Sequence, residues 1–542
     1  MKRPEYRTEP LLDFSKEENR QKMREAIKKV ESQLGQECEM VIGGKRVKAA
    51  DQFVSHNPAD PDQVIGVFQK GTAEHAGQAI EAATQTFKQW SESPVEERAG
   101  IAFRVVDMMR ERRFELAALM VLEVGKSFVE ADADVAEAID LVEFYGHEAL
   151  RYAEEQPLVA IPTERSELRY IPLGVGITIS PWNFPVAIMG GTTTAPFVAG
   201  NTVVLKPSSD APMCAKVFVD MLEEAGLPPG VVNFVTGPGG ELGEALVSHP
   251  RARFVNFTGS RDVGLRINER AARHKSGQIW IKRVIAEMGG KNGIVVDEEA
   301  DVAAAAQGVI ASAFGYSGQK CSACSRAIVH DKVYDEFLSR LIEGAKAVKV
   351  GPVVDPGNFT GPVINMAAMN KILHYIDTGR REARLVVGGN RMGDHGYFVE
   401  PTVFADVDRK ATIAQEEIFG PVLAVIRAKD YEDAVNIAND TEYGLTGAVY
   451  TMNRKKIELA ARRFHVGNLY FNRKCTGSIV GVHPFGGFNM SGTDSKAGGR
   501  DYMLLFLQAK AMSEKIAEVW DVAAGFSPRA VRRGVWPLEE GP

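Results

Sequence analysis

Cysteine is scarce in this chain: Cys38, Cys214, Cys321, Cys324 and Cys475 are five thiols scattered through 542 residues. An odd number without regular spacing argues against a disulfide framework and for a reducing compartment. Long apolar runs are missing too. The most apolar stretch, residues 173–205, is cut by Pro181, Asn183, Pro185 and Pro196, with Gly174, Gly176, Gly190 and Gly191 between them. It reads as buried strand, helix and strand, not as a membrane span. Positive charge is not in surplus, since the net charge is -7. No global field then attracts nucleic acid or an anionic membrane, and a small anionic substrate needs local capture. Residues 1–7 are charged and no apolar block follows them, which argues against a secretory signal; a cytoplasmic or mitochondrial-matrix setting is expected. Internal repeats and low-complexity tracts are absent.

What is present is ordinary globular composition, 45% hydrophobic and 25% charged, with length for two or three domains around a large core and no need of a metal or disulfide staple. Residues 17–34 are charged and helix-like, and apolar positions at helical spacing predict amphipathic helices over 73–92 and 95–124. After Leu173 short β-rich runs at 174–179, 202–205, 231–235 and 254–257 alternate with helix-length segments, the pattern of βαβ units and a parallel sheet. A second such series runs through strands near 284–288, 292–296, 327–330, 422–426 and 448–451 and helices over 301–316 and 333–348. Two α/β units facing each other across a cleft is the economical reading. Residues 158–170 and 502–510 stand outside both series and are expected to pair as an excursion joining subunits. The tail after about Ile516, with Pro528, Pro537 and Pro542 among Arg529, Arg532 and Arg533, reads as a poorly ordered extension.

The chemistry begins at Gly318-Gln319-Lys320-Cys321-Ser322-Ala323-Cys324. It follows a helical run and precedes a strand, so Cys321 falls on a turn where a nucleophile can face a cleft. A single cysteine is more often a small buried hydrophobe, and the Cys-x-x-Cys spacing also admits redox or zinc readings. Zinc is weakened by the lack of a second pair of matching spacing. A thioredoxin-type pair normally opens a helix after a strand, whereas this one follows a helix. Upstream, Glu287 ends a short apolar strand and is followed by Met288-Gly289-Gly290-Lys291-Asn292. A carboxylate with room to move can activate water, and glycines after it let a ligand approach closely. Ser180-Pro181-Trp182-Asn183-Phe184-Pro185 lies at the carboxyl end of a strand, the edge of a doubly wound sheet where ligands sit. The G-x-G-x-x-G dinucleotide fingerprint is absent; Gly259-Ser260-x-x-x-Gly264 after the strand at 254–257 is a weaker glycine pair before a helix N-terminus able to receive a pyrophosphate.

These runs, with Lys206-Pro207-Ser208, Phe257-Thr258-Gly259-Ser260 and Glu417-Ile418-Phe419-Gly420-Pro421, resemble the ordered motif set of the aldehyde dehydrogenase superfamily. The resemblance covers residues 37 to about 516. It implies an α/β fold with a Rossmann-like NAD-binding domain (1–157 and 172–286, with N-terminal helices), an α/β catalytic domain (287–471) and a small β oligomerisation excursion (158–171 and 495–516), and it leaves the expected disordered tail (517–542) outside. It implies Cys321 as nucleophile, Asn183 and the Cys321 N–H as oxyanion donors, and Glu287 as the base that activates water. For the cofactor it implies Ser180, Trp182, Lys206, Ser208, Ser209, Gly237, Thr258, Gly259, Ser260, Gly264, Met288, Gly289, Glu417 and Phe419. NAD is expected; Ser209 stands where NAD-preferring relatives often carry Glu, which leaves room for NADP. No metal is expected.

Thr476-Gly477-Ser478-Ile479-Val480-Gly481, Pro484-Phe485-Gly486-Gly487 and Ser491-Gly492-Thr493-x-x-Lys496-Ala497-Gly498-Gly499 are similar to the branch of this family that oxidises glutamate 5-semialdehyde, the open form of 1-pyrroline-5-carboxylate. The resemblance then implies the second step of proline degradation, proline dehydrogenase as a metabolic partner, and a homo-oligomer, a dimer or a multiple of dimers. A glycine-rich loop offers successive N–H groups to a carboxylate, so Ser322, Gly477 and Ser478 are the residues for the substrate α-carboxylate. Phe184 and Phe485 would wall its aliphatic part, although a phenylalanine is commonly core. Glu137 matches a position near the substrate amine, although an acid on a helix more often faces solvent. The rivals are a general aldehyde or other semialdehyde dehydrogenase, which should lack the Thr476-to-Gly481 pattern, and a silent scaffold, which should have lost Cys321, Glu287 or Asn183.

Overall fold

The computed structural model describes residues 5–516; the expected disordered tail, 517–542, lies outside them. Two seven-stranded sheets organise the molecule. The first runs Arg283–Glu287, Ala252–Thr258, Val175–Ile179, Thr202–Lys206, Val232–Phe234, Met40–Ile42, Lys45–Val47. Its first five strands are parallel, and the last two form an antiparallel hairpin on the edge. Chain order reverses between Val175–Ile179 and Ala252–Thr258, so the loops at their carboxyl ends diverge and leave a crevice. The second sheet runs Arg384–Val387, Thr402–Ala405, Val422–Ala428, Cys324–His330, Asn292–Val296, Thr446–Tyr450, Asn468–Phe471, parallel except at the Arg384–Val387 edge. Its central strands are continuous Val, Ile and Ala runs because helices cover both faces.

The sheets meet tip to tip. The first ends at Glu287 and the second starts at Asn292, so the carboxyl ends of one set of strands face the amino ends of the other. Beneath this junction lies the 26-residue helix Phe128–Ala153, most of whose side chains are buried.

Several expectations change in detail. Residues 95–124 form two helices, Val95–Glu111 and Arg113–Val124. The break at Arg112 (φ -100°, ψ 19°) lets the buried Arg113 guanidinium bind Asp132 at 2.7 Å and Glu9 at 3.2 Å. The helix expected to reach Tyr316 stops at Phe314, and Tyr316 and Ser317 take left-handed φ values of 51° and 52°. Such strain in non-glycine residues persists only where neighbours impose it. Here the Ser317 N–H donates to Thr360 Oγ1 (2.6 Å), its hydroxyl to the Gly361 carbonyl (2.6 Å), and the Tyr316 hydroxyl to the Val124 carbonyl (2.9 Å). Strands Gln36–Cys38, Gln52–Asn57 and Asp60–Gln69 form a further sheet in a stretch between the expected helices to which no element was assigned. In the excursion, Glu164–Pro172 pairs antiparallel with Leu507–Lys515; residues 158–163 are not strand, and 500–506 form a short helical turn. Among the described residues, no helix is long and apolar enough to cross a membrane.

Candidate active site

Cys321 stands on the turn before the strand Cys324–His330, half-buried at the tip of the second sheet. Gly318 makes that turn possible: its φ is +68°, and a Cβ there would lie 2.3 Å from the Gly420 carbonyl oxygen. Asn292 anchors the turn, its side-chain amide donating to the carbonyls of Cys321 (2.7 Å) and Ala323 (2.9 Å). Asn292 closed the glycine motif in the sequence but was given no role; only its position opposite the nucleophile reveals one. Asn183 is buried and donates through Nδ2 to the Gln319 carbonyl at 3.1 Å, which leaves its second amide hydrogen for another acceptor. Lys320 Nζ reaches Glu130 at 2.6 Å and ties the turn to the long helix.

Burial pushes the Cys321 thiol up to about 12, and Glu417, Glu287 and Glu137 add to the rise. Those three carboxyls therefore converge on one thiol from separate segments. Burial raises Glu287 itself to about 7, against hydrogen bonds from Ser495 and the Gly487 N–H that favour its charged form. Glu137 is not on a solvated face: burial, then Asp134, lifts it to about 8.

Phe184 lies under a cation. Lys126 Nζ sits 3.8 Å from its ring centroid and 2.6 Å from Asp134, whose other oxygen accepts from the Ala187 N–H at 2.7 Å. Lys126 and Asp134 are both wholly buried. We expect Lys126→Met, which strands the Asp134 charge, to cost about 3–5 kcal/mol of stability; an unchanged melting temperature in calorimetry would show that the pair does not hold this wall.

The first sheet's crevice presents a different set of groups. Ser180 Oγ is buried without a partner among the described residues. Lys206 is buried, its amine lowered to about 8 by burial, and among the described residues it donates to the Pro207 carbonyl at 3.2 Å. Thr258, Gly259 and Ser260 lead into the helix Arg261–Ala272, and Gly264 packs against Met288. Ser208 accepts from the Asp210 N–H, and Ser209 donates to the Gly237 carbonyl. Glu417 accepts from the Gly290 N–H at 2.9 Å, and a Cβ on Gly289 would lie 2.1 Å from its Oε2. Trp182 meets Phe419 edge-on at 5.5 Å. Orphaned donors, a helix N-terminus and glycine-cleared space fit a dinucleotide, with hydroxyls for Ser180, Lys206 and Glu417 and a pyrophosphate for the helix end.

The loop proposed for the α-carboxylate is a stiff turn. Gly477 has φ +78°, and Arg473 binds the carbonyls of Thr476 and Gly477 at 2.8 Å. The Ser478 hydroxyl is spent on the His483 carbonyl, so its contribution to a carboxylate has to come from its N–H. Further along, the Gly481 N–H donates to Gly498, whose own N–H donates to the Tyr145 hydroxyl at 2.8 Å. Phe485 pairs with Ala497 through its backbone, and the buried Ser322 lies next to Cys321.

A model of the aldehyde dehydrogenase family matches residues 46–512. The chain is 57% identical, over 94% of its length and 99% of the relative, to a protein of Geobacillus sp. (strain WCH70) named 1-pyrroline-5-carboxylate dehydrogenase. A solved Thermus structure of that name with bound NAD superposes with a TM-score of 0.94 at 49% identity, covering 95% of this chain and 100% of that one. Proline utilization A from Bdellovibrio bacteriovorus matches equally well (TM-score 0.94, 43% identity), covering 97% of this chain but 55% of the longer one. With the family model spanning most of the sequence and the first relative matched nearly end to end, the chain belongs to the aldehyde dehydrogenase family.

Proposed function

We propose that this enzyme oxidises L-glutamate 5-semialdehyde, the open form of 1-pyrroline-5-carboxylate, to L-glutamate with NAD, the second step of proline degradation. The observation that carries the reading is the junction itself: a half-buried thiol held at its carbonyl by Asn292, with Asn183 beside it and Glu287 close enough to raise it. Cys321 gives its thiol proton to solvent and, as the thiolate, attacks the aldehyde carbon. The second Asn183 amide hydrogen and the Cys321 N–H receive the oxyanion, and loss of one such donor costs on the order of 10²–10³ in turnover. NAD, when bound, supplies the cationic ring that accepts the hydride. The thioester left on Cys321 is then hydrolysed by a water whose proton passes to Glu287, releasing the acid and restoring the thiol. Ser180, Trp182, Lys206, Ser208, Ser209, Gly237, Thr258, Gly259, Ser260, Gly264, Met288, Gly289, Glu417 and Phe419 are assigned to the dinucleotide. Phe184, Phe485 and Glu137 are assigned to the substrate chain and amine. NADH production from pyrroline-5-carboxylate against a panel of simple aldehydes tests the substrate; equal rates across the panel would favour a general aldehyde dehydrogenase.

Ser322 and the N–H groups of Gly477 and Ser478 are assigned to the α-carboxylate. Gly477→Val forces a β-branched residue into left-handed backbone, which moves those N–H groups. Hydrogen bonds to a charged group contribute roughly 1.5–3 kcal/mol each, so kcat/KM for the semialdehyde should fall about tenfold or more. A short aldehyde without a carboxylate should be little affected. Equal losses for both would mean that the loop supports the whole site.

The division into dinucleotide-binding (1–157, 172–286) and catalytic (287–471) domains follows the two sheets. The pairing of Glu164–Pro172 with Leu507–Lys515 supports a role in joining subunits into a homo-oligomer. Proline dehydrogenase is the metabolic partner, since its product is this substrate, and the setting is cytoplasmic.

A further inference from the structure

Glu287 is held by a segment from the far end of the chain. Its Oε1 accepts from the Ser495 hydroxyl at 2.5 Å and from the Ser495 N–H at 3.4 Å, while Oε2 accepts from the Gly487 N–H at 3.2 Å. Glycines clear the space around it: a Cβ on Gly486 or Gly492 would come within 3.0 or 3.1 Å of Oε1. The cradle is itself fixed. The Ala286 N–H donates to Thr493 Oγ1, the Thr493 N–H returns to the Ala286 carbonyl, the Met288 N–H reaches the Ser491 carbonyl, and Lys496 Nζ binds the carbonyls of Gly467 and Gly486. Ser495 is therefore buried beside the carboxyl in a hydrogen-bonded segment. It falls between the residues that marked the substrate branch, where the sequence alone gave it no role.

We propose that Ser495 is a positioning residue for the base, its hydroxyl holding the Glu287 carboxylate in the glycine cradle in the charged form that takes a proton from water. This rests on the reading of Glu287 as the base. A hydroxyl that donates to a carboxylate favours its ionised form. The other charged or titratable groups facing Glu287 are Lys496 in the same segment, Tyr502 in the turn Arg500–Phe506 and Cys321 on the opposite sheet. Lys496 also favours the ionised form, while burial opposes it, so removing the hydroxyl leaves burial less opposed.

The test is the pH dependence of steady turnover and of the first-turnover burst. In Ser495→Ala the acid limb of kcat should move up by about one pH unit, so that turnover near pH 6.5 falls roughly tenfold and rejoins the parent at high pH. The burst of NADH should keep its amplitude. Ser495→Thr, which retains the hydroxyl, should restore the profile, and Ser495→Cys, a weaker donor of similar size, should give an intermediate shift even if the alanine variant folds poorly. A kcat profile in the alanine and cysteine variants that overlays the parent would overturn the proposal. So would an equal loss at every pH in all three, which is the mark of a merely structural residue. Failure of the underlying reading looks different: Glu287→Gln would then turn over normally.

Discussion

Cys321→Ala abolishes oxidation of the semialdehyde, with kcat falling by at least about 10⁴-fold, as expected when the atom that forms the covalent intermediate is removed. Binding of NAD, followed by calorimetric or fluorescence titration, stays intact because most of the groups assigned to it line the crevice of the other sheet and the Cys321 side chain is not among them. Neither nearby thiol is placed to take over. Cys324 and Cys475 are buried in the second sheet's core, where Cys475 donates to the Ser322 carbonyl at 3.3 Å and burial drives the Cys324 thiol well above its ordinary range. Full activity in the alanine variant would remove Cys321 from its role.

Glu287→Gln is the second large effect, and it separates the two halves of the reaction. Glutamine keeps the shape, and its carbonyl oxygen still accepts from Ser495, but it cannot take a proton. One equivalent of NADH should appear in a fast burst, followed by turnover slowed about 10²–10⁴-fold while the thioester accumulates. The parent enzyme should show an acid limb in steady turnover near pH 7, because burial lifts the Glu287 carboxyl to about 7 and only the ionised form acts as base. Below that pH the base is protonated and turnover drops; in the glutamine variant this limb should vanish. Normal turnover without a burst would show that another group activates the water.

Much of this was legible before any coordinates, and the reasons are local. Strands such as Asn292–Val296 are short apolar runs bounded by turn residues, and the motifs around Cys321, Glu287 and Asn183 sit at their ends. What stayed hidden depends on partners far away in sequence. Nothing between Arg110 and Phe114 signals a break, which exists because Arg113 reaches Asp132 and Glu9. Tyr316 ends the apolar helical pattern that begins at Asp301, yet it and Ser317 adopt left-handed backbone fixed by Thr360, Gly361 and Val124. Glu137 could be given to the substrate amine only through resemblance, because an acid on a helix commonly faces solvent; that its carboxyl is raised by burial and by Asp134 shows only once the long helix is placed. The strands between 36 and 69 include the ten-residue Asp60–Gln69, whose burial does not alternate regularly, so a period of two does not mark it in the sequence.

The cradle around Glu287 also sets a delay in synthesis. Ser495 lies 208 residues beyond the carboxylate it binds, and the strand Leu507–Lys515, which pairs with Glu164–Pro172, comes later still. A ribosome adding about 5–20 residues per second takes roughly 10–40 s to cover the distance from the base to its serine. During that time the first sheet can form with its base unsupported and the edge of Glu164–Pro172 bare, an exposed strand of the kind that invites misassembly. The base therefore gains its supporting serine only when the last part of the described fold emerges, and long-range closure of this kind makes folding slow.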